Sequence, residues 1–279
     1  MSEHSLRGTG SLAGVRFVAR MLVVSCFIIA ACSSSTPPAP VGCPGSTLPV
    51  GCAGRACSSL IDDMSGTSAE HIPFVPPSCA ANGSWYLAVG GTPAGMIAPS
   101  TSSPFTYSTL PGGPPTQLPN ATAGACVSGV TSPEQFNGTD SMFVNLAGAG
   151  GVPALIDASG YSGIEFYLWQ DSTAVVPSGE LYLLVDDKAE TSGYGVCDGT
   201  YTGPTGCVGP VATIPAQAGW QKVTLPWSGF ASLPNTGSDN ETALDPTTLT
   251  SLDFQVQQDA AGVTSGVPFH FCVLDLQFY

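Results

Sequence analysis

The sequence predicts an all-β fold, an antiparallel sandwich or barrel, and three observations carry the prediction. Of 279 residues, 34 are Gly and 25 are Pro while 9% are charged, so the straight-chain polar residues that favour helices are scarce. Short apolar or alternating runs recur along the chain, each closed by a cluster of Gly, Pro or Asn, the pattern of strands and turns. No long helical pattern lies between the runs, which excludes helical bundles and doubly wound α/β sheets.

In chain order the runs are 60–61, 84–89, 105–107, 142–146, 164–169, 180–185, 221–225, 251–257 and 269–278. The first is a short apolar pair ahead of Asp62 and Asp63. SWYLAV at 84–89 and FTY at 105–107 are aromatic-rich, and MFVNL at 142–146 is apolar with one polar break. IEFYLW at 164–169 and SLDFQVQ at 251–257 alternate with period two, placing Ile164, Phe166 and Leu168 on one side and Glu165, Tyr167 and Trp169 on the other. Leu252, Phe254 and Val256 likewise oppose Asp253, Gln255 and Gln257. ELYLLV at 180–185 is nearly continuous apolar sequence, QKVTL at 221–225 alternates, and the last run is apolar on both faces around His270. Residues 90–135 read as mostly loop.

Net charge is −14, with 6 Lys and Arg against 20 Asp and Glu. Phosphate binding needs clustered cations, so nucleic acid is excluded as a partner. Arg7, Arg16 and Arg20 precede the apolar stretch 21–31, which is too short to span a bilayer and has the length of a signal-peptide core. It closes on Ile29, Ala30, Ala31, Cys32 and then Ser33, Ser34, Ser35. This segment resembles the lipobox of bacterial lipoproteins. The resemblance implies removal of residues 1–31, acylation of Cys32 with palmitate-type chains, and anchoring to a membrane through the N-terminal lipid, at the outer membrane or cell surface. Two acyl chains meet the two-signal requirement for stable anchoring.

Residues 32–58 form a Pro-, Ser-, Gly- and Cys-rich tether, and 59–279 form one domain. Eight cysteines remain beyond Cys26 and Cys32, an even number that reads as disulfides in an exported chain. Cys197 and Cys207 bracket DGTYTGPTG and are expected to pair; the other six leave fifteen connectivities open. No Cys-x-x-Cys is present, which argues against thiolate zinc.

Seven segments follow one order: LIDDM at 60–64, NGSWY at 82–86, IDASGYSGIEFYLW at 156–169, the Cys197–Cys207 loop, GWQKVTLPWSGF at 219–230, LTSLDFQVQ at 249–257 and FHFCVLDLQFY at 269–279. Together they resemble the galactose-binding-like jelly rolls grouped with family-11 carbohydrate-binding modules and complex I intermediate-associated proteins. The resemblance implies a two-sheet antiparallel sandwich with adjacent first and last strands, a glycan-binding concave face and a structural calcium. Asp62, Asp63 and Asp275 are the expected calcium ligands, since calcium takes six to eight oxygens. The family's last strand carries paired Asp where this chain has Leu274-Asp275, which weakens that expectation.

If the two outward sets share the concave sheet, Glu165, Tyr167, Trp169, Asp253, Gln255 and Gln257 are the expected ligand-binding residues. Flat aromatics suit the C–H face of a sugar, and planar polar groups suit its hydroxyls. Trp85, Trp220 and Trp227 read as structural. No Gly-x-Ser-x-Gly, HExxH or P-loop occurs, and Glu165 with Asp253 is the one defensible carboxylate pair for glycoside hydrolysis. The expectation is therefore a surface-anchored, non-catalytic lipoprotein that binds an extracellular or envelope polysaccharide. The second reading is an envelope scaffold holding a protein partner, and an enzyme ranks third.

Overall fold

The computed structural model describes residues 59–64, 84–91, 94–102, 104–133, 139–146, 148–149, 152–153, 155–174, 181–191, 209–231, 243–257 and 265–279, all within the compact unit Pro37–Tyr279. Cys32, the tether and the Cys197–Cys207 loop lie outside the described residues.

The first strands are β1 (Leu60–Asp62), β2 (Ser84–Val89), β3 (Met96–Ala98), β4 (Ser108–Thr109), β5 (Ala123–Val130), β6 (Thr139–Asn145), β7 (Gly148–Ala149) and β8 (Val152–Pro153). The second half contributes β9 (Gly163–Gln170), β10 (Leu181–Asp187), β11 (Val211–Thr213), β12 (Gly219–Pro226), β13 (Leu249–Gln257) and β14 (Pro268–Phe278). A single 3-10 turn, Trp227–Gly229, follows β12. The molecule is thus the antiparallel two-sheet sandwich that the sequence predicts.

One sheet runs β12-β9-β14-β5-β3, with β1 paired to β14 and β4 to β5; the other runs β11-β10-β13-β6-β2. First and last strands are neighbours, with Leu60 opposite Gln277 and Asp62 opposite Leu276. Period-two alternation sends one side chain set from each sheet into the shared interior. Ile164, Phe166, Leu168, Phe271 and Val273 face inward from the seven-stranded sheet, and Met142, Val144, Leu183, Leu252 and Phe254 from the five-stranded one; all are buried. Phe166 and Phe254 meet edge to face at 5.1 Å, joining the two layers with a favoured aromatic geometry.

Two expectations change. The run 105–107 is not a strand, and the stretch read as loop contains β5, an eight-residue strand at the centre of its sheet. AGACVSGV has little apolar alternation because small residues suffice where neighbours approach closely. At Gly129 a Cβ would stand 1.9 Å from the Met96 carbonyl oxygen, and at Gly124 2.8 Å from Leu110 Cδ2. Leu110 thereby lies over the outer side of β5, and the Trp220 indole donates to the Gly113 carbonyl at 2.8 Å, pinning segment 110–113 across that sheet.

Cys126 and Cys272 form a disulfide between directly opposed residues of β5 and β14, 4.0 Å apart at Cα.

Candidate functional site

Strand alternation sets the six predicted residues of β9 and β13 opposite the side chains that fill the interior, yet Tyr167, Asp253 and Gln257 are themselves buried. The sheets differ, however. Glu165, Tyr167 and Trp169 belong to β9 in the seven-stranded sheet, whereas Asp253, Gln255 and Gln257 belong to β13 in the five-stranded sheet. The two sets point away from each other with the core between them, so they do not form one cleft. Glu165 is taken up locally, accepting from Gln277 Nε2 at 2.8 Å and pairing with Lys222 Nζ at 2.9 Å. The Glu165–Asp253 pair cannot flank one glycosidic bond, because bound substrate would have to reach both outer faces at once. Tyr167 is 8% exposed, and Leu274 and Lys222 stand opposite it.

The cross-strand register of the five-stranded sheet arranges its outward residues in three transverse rows. Ser84, Asn145, Ser251 and Asp186 form the first; Tyr86, Phe143, Asp253, Leu184 and Val211 the second; Ala88, Ser141, Gln255, Tyr182 and Thr213 the third. With strands about 4.8 Å apart, the middle row spans about 19 Å. Tyr86 and Phe143 are a cross-strand pair whose rings stack at 4.8 Å with 1° between their planes. Tyr86 remains 39% exposed, one of two large exposed apolar side chains among the described residues. The rows are part-exposed or exposed along β2 and at Phe143 and Asn145 of β6, and buried at Ser141, Tyr182, Leu184, Ser251 and Asp253.

Sequence reasoning missed Tyr86 and Phe143. The parity argument applied to β9 and β13 finds them: Trp85 and Val144 are core, so Tyr86 and Phe143 point outward.

Beside the aromatic pair lies a pair of carboxyls. Asp186 Oδ2 accepts from Ser251 Oγ at 2.7 Å, and Asp253 Oδ2 accepts from Ser141 Oγ at 3.3 Å. Asp253 Oδ1 has no hydrogen-bond partner among the described residues. Burial foremost, and then the charge of Asp186, pushes the Asp253 carboxyl well above the usual carboxylate range; burial also raises Asp186. A neutral carboxyl donates a hydrogen bond where an ionised one only accepts.

The same feature fixes a dependence on pH. A carboxyl whose folded pKa lies above its unfolded value keeps its proton longer when folded. Its contribution to stability is full below the unfolded value, near 3.8, and is lost as pH rises through the folded value. Asp253→Asn, which never ionises, is expected to flatten the fall of the thermal midpoint between pH 4 and pH 8. At pH 8 it should be more stable than the parent by about 1–3 kcal/mol. Equal destabilisation at both pH values would contradict the assignment.

The predicted calcium ligands fare differently. Asp62 is 1% exposed, and both its oxygens face protein donors. Oδ1 accepts from the Met64 amide at 2.8 Å, and Oδ2 accepts from Trp85 Nε1 at 2.7 Å and from the Tyr107 hydroxyl at 2.5 Å. Asp275 occupies the bulge in β14 at φ 56°. Among the described residues no group of three His, Cys, Asp or Glu side chains is placed to hold a metal ion. The Asp62 carboxylate ties the first strand to the core edge instead.

No family model matches the chain, and no curated protein is similar to it. Among solved structures, it is similar to the family 11 carbohydrate-binding module of the cellulosomal cellulase Lic26A-Cel5E of Clostridium thermocellum, with 14% identity over 78% of this chain and 92% of that one, at a TM-score of 0.45. It is also similar to the family 11 module from the same organism in complex with a β-1,3-1,4-mixed-linked tetrasaccharide, with 17% identity over 79% and 94% of the two chains and a TM-score of 0.46. An exo-β-agarase matches with 14% identity over 80% of this chain and 25% of the agarase, at 0.38.

Proposed function

We propose that this chain is a non-catalytic carbohydrate-binding protein, anchored to a membrane surface through lipid on Cys32, whose glycan platform is the outer face of the five-stranded sheet. The stacked Tyr86–Phe143 pair carries this reading. Two parallel, stacked rings at the open edge of a sheet present an aromatic face to the C–H side of a sugar ring. The adjoining rows add the part-exposed Gln255 amide, with the buried Ser141–Asp253 and part-buried Ser251–Asp186 hydrogen-bonded pairs beside it. Of the six residues expected to bind ligand, Asp253, Gln255 and Gln257 fall on this face.

Tyr86→Ala with Phe143→Ala is expected to abolish retention on insoluble polysaccharide and to lower affinity for the best glycan-array ligand at least tenfold, with the fold intact by circular dichroism. In the same preparations palmitate labelling should be present and should disappear in Cys32→Ser. Undiminished glycan retention by the folded double variant would remove this face from the site. A folded wild-type domain that binds no plant, microbial or self polysaccharide and copurifies with one stoichiometric protein would turn the reading to an envelope scaffold.

A further inference from the structure

The opposite side of the sandwich carries a second feature. A recess of about 390 Å³ opens on the outer face of the seven-stranded sheet, between the chain at 98–99, the chain at 106–111 and strands β5 and β14. Its floor includes both halves of the Cys126–Cys272 disulfide. That volume falls within the ~300–1,000 Å³ typical of small-molecule sites.

The chemistry around it is specific. Thr106, Ser108, Thr109 and Ser128 line the recess, and none of the four hydroxyls makes a side-chain hydrogen bond to a described residue. His270 completes the polar lining, while Pro99, Pro111 and Val127 give aliphatic wall. The Trp169 ring meets the His270 imidazole edge to face at 4.9 Å. Of the four tryptophans, Trp85, Trp220 and Trp227 each donate their indole N–H to a protein acceptor; Trp169 does not. Trp169 does not itself line the recess but packs on His270, which does, so a half-buried indole stands next to a lining of four hydroxyls.

The charges decide the class of ligand. His270 Nδ1 stands 3.7 Å from Asp171 Oδ2, and Lys222, farther along the sheet, is paired with Glu165. No unpaired cation faces the recess among the described residues, so the charge-assisted contacts that favour a carboxylate, sulfate or phosphate are not on offer from them. Hydroxyl donors and acceptors over aliphatic wall match a neutral sugar. The floor is cross-linked to two paired strands, so little ordering cost attends binding.

We propose that this recess, with Trp169 at its rim, is a second glycan site taking one or two neutral sugar rings, independent of the Tyr86–Phe143 face. Two sites on opposite faces make the domain bivalent, able to bridge neighbouring polysaccharide chains and to gain avidity from both.

The test is a titration of the ¹⁵N-labelled protein with gluco-, manno- and galacto-configured neutral disaccharides, following the four indole N–H resonances. The Trp169 resonance is expected to shift saturably with at least one disaccharide, and to do so equally in the Tyr86→Ala, Phe143→Ala variant. Ser128→Phe, which fills the recess from β5, should weaken that shift at least tenfold while leaving the Trp85 resonance in place. His270→Ala, at a half-exposed position, serves the same purpose if Ser128→Phe does not fold. No Trp169 shift at millimolar sugar in a folded protein, a shift that survives both variants, or tighter binding of acidic than of neutral disaccharides would overturn the proposal.

Discussion

Asp62→Ala is expected to destabilise the domain by about 3–5 kcal/mol, lowering the thermal midpoint by about 8–15 °C. Three donors converge on this buried carboxyl from Met64, Trp85 and Tyr107, and each is left facing apolar surroundings when the acceptor goes. A buried donor without a partner costs about 1–3 kcal/mol. Burial opposes ionisation here and outweighs the three hydrogen bonds in raising the Asp62 pKa. Burial and the neighbouring Asp62 carboxyl push the Tyr107 hydroxyl up as well. Asp62→Asn keeps an acceptor for Trp85 and Tyr107 but turns its amide toward the Met64 N–H, so about half the loss should return. Chemical denaturation of the two variants measures both values. A loss below 1 kcal/mol for the alanine variant would show that Trp85 and Tyr107 find other acceptors.

Removing the central disulfide should be comparably severe. Cys126 and Cys272 are 146 residues apart in sequence, and in the chain-entropy account a loop of that length corresponds to about 5 kcal/mol of restraint on the unfolded chain. Removal of a native disulfide typically recovers somewhat less than that full restraint, so the paired substitution Cys126→Ser, Cys272→Ser is expected to cost about 3–5 kcal/mol. Both sulfurs are buried, so the two hydroxyls must also find partners between β5 and β14. Equilibrium unfolding of the double variant is the measurement, and an unchanged midpoint would show that the ladder holds these strands without the bond.

The sequence makes the strands of the sandwich legible because period two survives wherever one face is wet: β9, β12 and β13 were each readable in this way. β5 was not, since Gly124 and Gly129 carry no side chain where Leu110, Met96 and Phe269 pack against them. Alternation also has a limit of kind. It says that Glu165 and Asp253 face outward, but which sheet each strand joins is decided by pairings between β9 and β14 and between β13 and β6, contacts separated by about a hundred residues. The Asp62 knot was hidden for the same reason: its side-chain donors lie 23 and 45 residues downstream, and an acidic pair at the head of a chain looks the same whether it meets a cation or an indole.

The pairing of β1 with β14 sets how the domain bears mechanical load. Tension applied upstream of Leu60 enters the molecule through a three-residue strand whose partner is the longest strand in the sheet. Among the described residues, the next restraint beyond those few ladder bonds is the Asp62 carboxyl, which accepts from Trp85 and Tyr107. A flow-borne or fibre-bound particle tugging on this protein would therefore work first on the β1 edge. Only after that clamp yields would force reach the cross-linked centre at Cys126 and Cys272, leaving both outer faces in shape while the edge gives.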